Sequence, residues 1–251
     1  YAASRLFGVA AMTASAPPSG QPALETRDLA KSFTLHARDH LSFAVLADID
    51  LAVHAGECVV LDGPSGAGKS TLLRTLYGNY RADHGAIFVR QDGEAVDLVR
   101  ATPRQILALR RRTLGYISQF LRVIPRVPTI DIVAEPLLAL GIDRAAARAK
   151  AAELLERLAL PHRFWELPPA TFSGGEQQRV NIARGLIAGH PILLVDEPTA
   201  SLDAANRATV VELLQEARKA GKAIIAICHE EATRAALATR LFPVSLKAQA
   251  A

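Results

Sequence analysis

The sequence contains few of the residues that mark secreted, disulfide-bonded or membrane-spanning proteins. Aromatic residues make up 5% of the sequence, and only two of its 251 residues are cysteine. Two cysteines cannot form a disulfide framework. Cys58 and Cys228 both lie in apolar runs, and we interpret them as reduced, buried thiols of a cytoplasmic protein. No apolar run reaches the roughly 18–20 residues needed to cross a bilayer, so we expect no direct insertion into a membrane.

The charge excess is small and half of the composition is hydrophobic. Lys and Arg (29) outnumber Asp and Glu (25) by only four, which does not by itself indicate a nucleic-acid partner. The 50% hydrophobic fraction excludes intrinsic disorder and fibrous classes. A chain of this length is expected to form one large domain, or one domain with a sizeable insertion.

Residues 1–20 differ from the rest, because they are rich in Ala, Ser and Pro and show no periodicity. A signal peptide is disfavoured, because the apolar run is short and only one basic residue precedes it. Met12 is the only methionine. We therefore expect 1–20 to be disordered or to lie upstream of a true start at Met12. Residues 21–246 are expected to form the domain, and 247–251 a tail.

Hydrophobic patterning predicts strands in the first part of the chain. Residues 48–53 alternate, with Ile49, Leu51 and Val53 on one face. Residues 58–61 are apolar without alternation, which is typical of a strand buried on both faces of a parallel sheet. Residues 86–99, with a turn at 92–93, predict a β-hairpin.

The period then becomes helical between about 103 and 169. Asp143 is a candidate N-cap for a helix over 143–160, whose apolar face consists of Ala147, Ala151, Leu154, Leu155 and Leu158. From Phe172 onwards helices (176–187, 204–220) alternate with strands (192–195, 223–228). The prediction is an α/β fold with a parallel core sheet, an antiparallel β subdomain and an inserted helical subdomain at about 103–169.

A glycine-rich loop between a predicted strand and a predicted helix indicates phosphate binding. It matches the pattern G-x-x-x-x-G-K-[ST] in its required context. Backbone N–H groups of such a loop surround phosphates, the lysine supplies positive charge, and the hydroxyl after the lysine binds Mg²⁺. The loop comprises Gly63, Pro64, Ser65, Gly66, Ala67, Gly68, Lys69, Ser70 and Thr71.

Three further polar residues follow predicted parallel strands, at the sheet edge where ligands of α/β proteins bind. Asp196 follows an apolar run and is a candidate Mg²⁺ ligand. Glu197, one residue further, is a candidate for orienting or deprotonating an attacking water. His229 follows the strand predicted over 223–228 and, on position alone, could also be a structural strand-end histidine.

Two longer motifs, SGGEQQRVNIARGL from Ser173 and ILLVDEPTASLD from Ile192, resemble the signature and second nucleotide motifs of ATP-binding-cassette ATPases. The resemblance covers about residues 23–241 and implies a phosphate-loop nucleotidase fold of the cassette type. It also implies ATP and Mg²⁺ as cofactors.

The resemblance implies roles for further residues. Gln119 matches the glutamine loop that contacts metal and nucleotide, His229 matches the switch histidine, and Phe33 stands where an aromatic ring stacks on adenine. The signature end would contact the γ-phosphate held by a partner subunit, in a homodimer or a heterodimer with a second cassette subunit. That end comprises Ser173, Gly174, Gly175, Glu176 (where glutamine is commoner) and Asp203, which resembles the residue that couples the two sites.

Two function classes remain open at this stage. Residues 77–80 (YGNY) and 118–126 (SQFLRVIPR) look closest to the L subunit of the phosphonate carbon–phosphorus lyase system. That family supports formation of ribose 1-phosphonate 5-triphosphate from ATP and phosphonate, and soluble lyase subunits would be the partners. Gln119-Phe120 and residues 135–138 (EPLL) are instead similar to lipoprotein-release and macrolide-export ATPases, so the alternative is a subunit of a membrane transporter.

Seven arginines and no acidic residue occur between Leu98 and Ile130. A solvated basic helix face would account for them, and a docking surface for an acidic partner is the alternative. We expect no nucleic-acid partner, because no reading motif accompanies the charge. The arginines are Arg100, Arg104, Arg110, Arg111, Arg112, Arg122 and Arg126.

Overall fold

The computed structural model describes residues 20–35, 41–121 and 125–245. The predicted tail (247–251), the candidate start Met12 and all but the last residue of the predicted extension (1–20) lie outside the described residues, as does Arg122. The strands, in chain order, are β1 (Leu24–Leu35), β2 (Leu41–Val53), β3 (Cys58–Asp62), β4 (His84–Gln91), β5 (Glu94–Asp97), β6 (Leu114–Ile117), β7 (Ile192–Asp196), β8 (Ala223–Ile227) and β9 (Arg240–Pro243). The α-helices are α1 (Lys69–Leu76), α2 (Pro103–Arg112), α3 (Thr129–Ala139), α4 (Arg144–Arg157), α5 (Gly174–Ile187), α6 (Ala204–Lys219) and α7 (Glu231–Leu237).

The strands form two sheets, as the sequence predicts. Strands β2-β1-β4-β5 form an antiparallel sheet, and β6-β7-β8-β3-β9 form a parallel sheet. The predicted hairpin is confirmed, since β4 and β5 pair in antiparallel register with Gln91 opposite Glu94. Ile49, Leu51 and Val53 of β2 are all buried, which confirms the predicted face.

The parallel sheet is covered on both faces, because alternate residues of each strand belong to two separate hydrophobic cores. Val60 of β3 packs with helices α3 to α6, whereas its neighbour Val59 packs with β1, β2 and α1. Leu193 and Leu194 of β7 divide in the same way. This two-sided burial confirms the interpretation of the unalternating apolar run at 58–61.

The middle of the chain is helical, with one exception that the sequence did not predict. Asp143 caps α4 by accepting hydrogen bonds from the backbone N–H groups of Ala145 (2.9 Å) and Ala146 (3.2 Å), as predicted. Within the segment 103–169, however, the four residues of β6 leave the helical period and pair with β7. Residues 103–169 therefore contribute an edge strand to the core sheet as well as helices.

Two further properties of the described residues concern apolar helices and cysteines. Across 20–35, 41–121 and 125–245 there is no helix with the length and apolarity required to cross a membrane. Cys58 and Cys228 are both buried thiols, and burial raises the pKa of each to about 12. Thiols of such high pKa remain protonated and unreactive at neutral pH.

Candidate nucleotide site

The phosphate loop connects β3 to α1, and its glycines are required by the backbone. Gly63, Gly66 and Gly68 have φ values of +146°, +80° and +95°, a region that side chains other than glycine rarely adopt. A Cβ atom at Gly63 would lie 2.2 Å from the carbonyl oxygen of Val244, and one at Gly68 would lie 2.9 Å from that of Val45. The loop is therefore packed tightly against β2 of one sheet and against the residue that follows β9 of the other.

Lys69 is the first residue of α1, and its side chain folds back into the loop. The Nζ atom donates hydrogen bonds to the carbonyl oxygens of Gly63 (2.6 Å) and Pro64 (2.8 Å). Lys69 is 8% exposed, so its charge lies in a sheltered position beside the N-terminal end of a helix. Both features attract an anion to this point.

A cavity of about 360 Å³ opens beside the loop. On one wall the Phe33 ring lies 5.2 Å from the Tyr80 ring in an edge-on arrangement and 6.2 Å from the Phe43 ring. The cavity thus combines an aromatic wall with a phosphate loop and two ionisable side chains from the sheet edge. Its lining residues are Phe33, Phe43, Val45, Ser65, Gly66, Gly68, Lys69, Ser70, Thr71, Glu197, Ile227 and His229.

Asp196 ends β7 beside Ser70 and is only 2% exposed. Ser70 Oγ donates to its Oδ1 atom (3.3 Å), and the Tyr116 hydroxyl donates to its Oδ2 atom (3.3 Å). Burial, together with the charge of Glu197, raises the pKa of Asp196, so its ionised form would be stabilised by a cation. No group of three or more His, Cys, Asp or Glu side chains in the described ranges could hold a metal ion. Ser70 and Asp196 accordingly fit Mg²⁺ that is also bound by phosphate oxygens.

Glu197 follows Asp196 in a left-handed backbone conformation, with φ +50°. Such a conformation costs about 1–3 kcal/mol in a residue other than glycine and is found mainly at functional sites. The carboxylate is hydrogen-bonded on both oxygens. His229 Nε2 lies 2.7 Å from Oε1, and the side-chain amide of Gln119 donates to Oε2 at 3.0 Å. The sequence assigned Gln119 to metal and nucleotide, whereas its amide nitrogen here faces Glu197.

The signature residues form a second cluster at the start of α5. Ser173 and Glu176 form a capping box, in which the Ser173 hydroxyl accepts from the Glu176 N–H (3.4 Å) and the Ser173 N–H donates to Glu176 Oε2 (2.8 Å). The hydrogen bonds that the Ser173 N–H and hydroxyl donate to Glu176 Oε2 lower the pKa of Glu176. A Cβ atom at Gly175 would lie 2.8 Å from the carbonyl oxygen of Ser201, so this helix end touches the loop that precedes Asp203.

Asp203 caps α6 by accepting hydrogen bonds from the Asn206 N–H (2.8 Å) and side-chain amide (2.8 Å). These bonds lower the pKa of Asp203. We call Ser173–Glu176 with Ser201–Asp203 the signature cluster, and residues 63–71 with Gln119, Asp196, Glu197 and His229 the phosphate-loop cluster. Within the described chain, no residue of the signature cluster lines the cavity. The predicted site residues thus form two separate groups.

Sequence reasoning missed a set of side chains that support the phosphate-loop cluster. Tyr77 and Tyr116 are stacked with 5.0 Å between ring centroids, and Arg74 Nη1 donates to the Tyr80 hydroxyl (3.2 Å). Hydrogen bonds to Tyr80 and to Tyr116 raise the pKa of Arg74. The YGNY run at 77–80 includes Tyr77 and Tyr80, but its resemblance to a known family does not predict these contacts. The Ser173 capping box, in contrast, is visible as S-x-x-E.

The arginine run divides into one structural residue and several exposed ones. Arg110 donates to the Tyr77 carbonyl oxygen (3.0 Å) and to Asn79 Oδ1 (3.0 Å), and its guanidinium lies 4.5 Å from the Tyr77 ring centroid. The solvated-face interpretation is therefore wrong for Arg110. Arg104, Arg111 and Arg112 are exposed. Arg110 and Arg111 also line a groove of about 410 Å³, together with Leu107, Glu135 and Arg184.

Comparisons with known proteins agree on the family. The ABC transporter family model matches residues 46–200. The chain is 38% identical to the lipoprotein-releasing system ATP-binding protein LolD of Shewanella oneidensis over 208 residues, covering 82% of this chain and 87% of that protein. It is 39% identical to the macrolide export ATP-binding/permease protein MacB of Brucella melitensis over 84% of this chain, but spans only 31% of that protein.

Solved structures show the same fold. The dimeric structure of the cassette MJ0796 in a post-hydrolysis state, bound to ADP and Pi, superimposes with a TM-score of 0.81 at 26% identity, over 88% of this chain and 94% of that one. A second dimeric MJ0796 structure gives 0.80 at 24% identity, over 90% and 99%. ATP with Mg²⁺ is the cofactor of such cassettes. The match over residues 46–200, the motifs in their expected order and the shared fold all agree: this chain belongs to the ABC transporter family, as an ATP-binding cassette.

Proposed function

We propose that the chain hydrolyses ATP with Mg²⁺ and uses the cycle to drive a partner complex. The observation that carries this proposal is the position of Glu197. Its carboxylate lines the same cavity as the phosphate loop, and both of its oxygens are bound by side chains from other elements. A carboxylate held beside a phosphate-binding loop is placed to work on a water that attacks a phosphate.

The residues in and around the cavity have different roles in the proposed reaction. Glu197 accepts the proton of the attacking water, and His229 and Gln119 orient the carboxylate through the bonds described above. Lys69 exchanges its carbonyl partners at Gly63 and Pro64 for phosphate oxygens, since an ammonium binds an anion more strongly than a neutral carbonyl. Phe33 supplies a face for the base.

Ser70 and Asp196 are the residues that would hold Mg²⁺. When bound, the ion neutralises charge that develops on the transferred phosphoryl group. The Ser70 hydroxyl and the Asp196 carboxylate already lie within 3.3 Å of each other, and both are oxygen donors of the kind that Mg²⁺ prefers. Gln119 is assigned to the Glu197 side of the site, where its amide lies.

A second copy of the chain would complete the site. The signature cluster offers the N-terminal end of α5, and Ser173 is exposed there, but it does not reach the cavity of its own chain. Two chains arranged head to tail would place each signature cluster over the other chain's phosphate loop. The MJ0796 structures, which share this fold, are dimeric, and this supports the proposal of a dimer.

For the driven complex, the comparisons favour the transporter alternative over the lyase interpretation. The relatives include lipoprotein-releasing and macrolide-export ATP-binding proteins, each at least 38% identical over most of this chain. We therefore propose a cytoplasmic ATPase subunit of a membrane transporter of this type, with membrane-spanning subunits as partners. The exposed Arg104, Arg111 and Arg112 of α2, of which Arg111 lines the groove, are candidate contacts for an acidic segment of such a subunit.

One observation keeps the carbon–phosphorus lyase interpretation as a second candidate. The YGNY segment (77–80), which resembles that family, makes specific contacts through Tyr77, Asn79 and Tyr80, so the resemblance lies in residues that are held by the fold. In that case the partners would be soluble lyase subunits, and ATP hydrolysis would support coupling of a phosphonate to ribose.

Growth and fractionation separate the two candidates. A strain whose only copy carries Lys69→Ala should grow on methylphosphonate as its sole phosphorus source as well as the parent strain does, if the chain serves a transporter. The chain should also sediment with membranes when its neighbouring genes are co-expressed. Failure on methylphosphonate with normal growth on phosphate, and co-purification with soluble subunits, would favour the lyase role instead.

The arginine surface can be tested in the same preparation. Reversing Arg104, Arg111 and Arg112 to glutamate, while keeping Arg110, should leave ATP binding intact but slow association with the partner, most clearly at low salt. Replacing the three by glutamine is the matched control and should give an intermediate effect. Association that is unchanged across a salt series would return these arginines to the solvated-face interpretation.

A further inference from the structure

Tyr116 contacts Asp196, the carboxylate proposed to bind Mg²⁺, but it belongs to none of the sequence motifs of the site. It lies on β6, opposite Leu194 of the neighbouring strand β7. Leu194 and Asp196 are two residues apart on one strand, so Tyr116 is a diagonal neighbour of Asp196 on the same face of the sheet. Its hydroxyl reaches Asp196 Oδ2 at 3.3 Å.

The two oxygens of Asp196 therefore have different partners. Oδ1 faces the Ser70 hydroxyl, on the side of the phosphate loop, whereas Oδ2 faces Tyr116 on the opposite side. An ionised carboxylate can only accept hydrogen bonds, so the Tyr116 hydroxyl is the donor and its proton points to Asp196 Oδ2.

The ring of Tyr116 is itself held in place by residues that the proposed function leaves without a role. Tyr77 stacks on it with an interplanar angle of 24°. Arg110 in turn holds Tyr77, through its carbonyl oxygen and over its ring. A half-buried hydroxyl on a ring fixed in this way loses little freedom when it binds a carboxylate, so the bond is preorganised.

From this geometry we infer that Tyr116 is a positioning residue for the metal site: it holds Asp196 Oδ2 and so presents Oδ1 towards Ser70 for Mg²⁺. The inference rests on the proposed function, since it assigns Asp196 to the metal. It gives the YGNY segment a structural task through Tyr77. Tyr116 and the two residues that hold its ring, Tyr77 and Arg110, also line the groove. The residues that would position Asp196 are therefore exposed to whatever binds there.

The test separates metal binding from nucleotide binding. In full-length chain carrying Glu197→Gln, the dissociation constant of ATP is measured once with Mg²⁺ and once with EDTA. The dissociation constant in EDTA divided by that with Mg²⁺ reports how much the metal strengthens ATP binding. Adding Tyr116→Phe, which keeps the ring and removes only the hydroxyl, should lower this ratio about 10-fold, at the low end of the effect of removing an outer hydrogen-bond partner of a metal ligand. The constant in EDTA should stay the same.

The matched control is Tyr77→Phe, which removes a hydroxyl from the other ring of the same stack and should leave the ratio unchanged. If Tyr116→Phe weakens ATP binding equally with and without Mg²⁺, or changes neither constant, the inference is overturned. If the Glu197→Gln parent itself binds no ATP, or binds it equally well in EDTA, the proposed function fails first. The two failures are therefore distinguishable.

Discussion

The phosphate-loop cluster and the signature cluster are built in opposite ways. In the first, side chains bind one another across different elements, as Glu197 does with Gln119 and His229, and Lys69 and Asp196 are only 8% and 2% exposed. In the second, Ser173 and Asp203 are exposed, and their side chains bind groups three residues further along the chain. The core thus assembles one half of the site in advance. The other half is a pair of capped helix ends, which in the proposed dimer would act on the second copy of the chain.

The largest effect is expected from breaking the preassembled half at its chemical centre. Glu197→Gln keeps the shape of the side chain but removes the charge that accepts a proton. Hydrolysis should fall at least about 100-fold, the usual effect of losing a general base, while ATP still binds. Phosphate release and equilibrium binding measure the two quantities.

The matched control is Glu94→Gln, at the exposed start of β5, which should hydrolyse ATP at the parent rate. Hydrolysis by Glu197→Gln at the parent rate would remove Glu197 from the reaction.

A smaller effect should distinguish the two clusters by nucleotide affinity. Lys69→Ala removes a charged phosphate partner, and since such bonds contribute about 1.5–3 kcal/mol, a single chain should bind ATP roughly 10- to 100-fold more weakly. Ser173→Ala should leave the affinity of a single chain unchanged, because Ser173 does not line the cavity. Titration with a fluorescent ATP analogue in dilute solution measures both. Equal losses in the two variants would mean that the clusters are not separate.

The smallest effect concerns the stability of the signature cluster. Ser173→Ala removes an N-cap and should lower the free energy of unfolding by about 1 kcal/mol. The backbone N–H and the hydroxyl of Ser173 both lower the pKa of Glu176, and the variant loses only the hydroxyl bond. The contribution of that bond is present above the unfolded pKa of Glu176 and is lost as pH falls through its folded pKa. The difference between variant and parent should therefore shrink in acid.

Urea unfolding at neutral pH and below the ordinary glutamate pKa checks this, with the neighbouring Ser201→Ala as control. A difference between Ser173→Ala and parent that is the same at both pH values would exclude the Glu176 contribution.

The sequence could predict those features of the fold and site that depend on local patterns, and not those that depend on long-range contacts. The phosphate loop, Asp196, Glu197 and His229 were predictable, because each stands at the end of a run whose strand or helix character is local. Strand β6 was not, since its four residues lie in a helical segment and become a strand only by pairing with β7. The contacts of Tyr116 depend on that pairing, so they could not be predicted either.

The same reasoning applies to the side chains whose positions differed from expectation. Arg110 looks like one of three equivalent arginines in sequence, yet only the packing of α2 brings it to Tyr77 and Asn79. Gln119 was assigned to the metal by resemblance, but the position of its amide depends on where Glu197 lies after its left-handed turn. Long-range contacts of this kind leave no periodic signal.

The central claim is that two incomplete clusters are completed by a second copy of the chain around ATP. Light scattering of Glu197→Gln, with and without Mg²⁺ and ATP, tests it most directly. A second variant adds Ser173→Asp, which retains a good N-cap but places a negative charge where a phosphate would bind. The account predicts that the mass doubles with ATP for Glu197→Gln and stays that of one chain when Ser173→Asp is added. A mass that stays at one chain with ATP bound, or a doubling that Ser173→Asp does not affect, would contradict it.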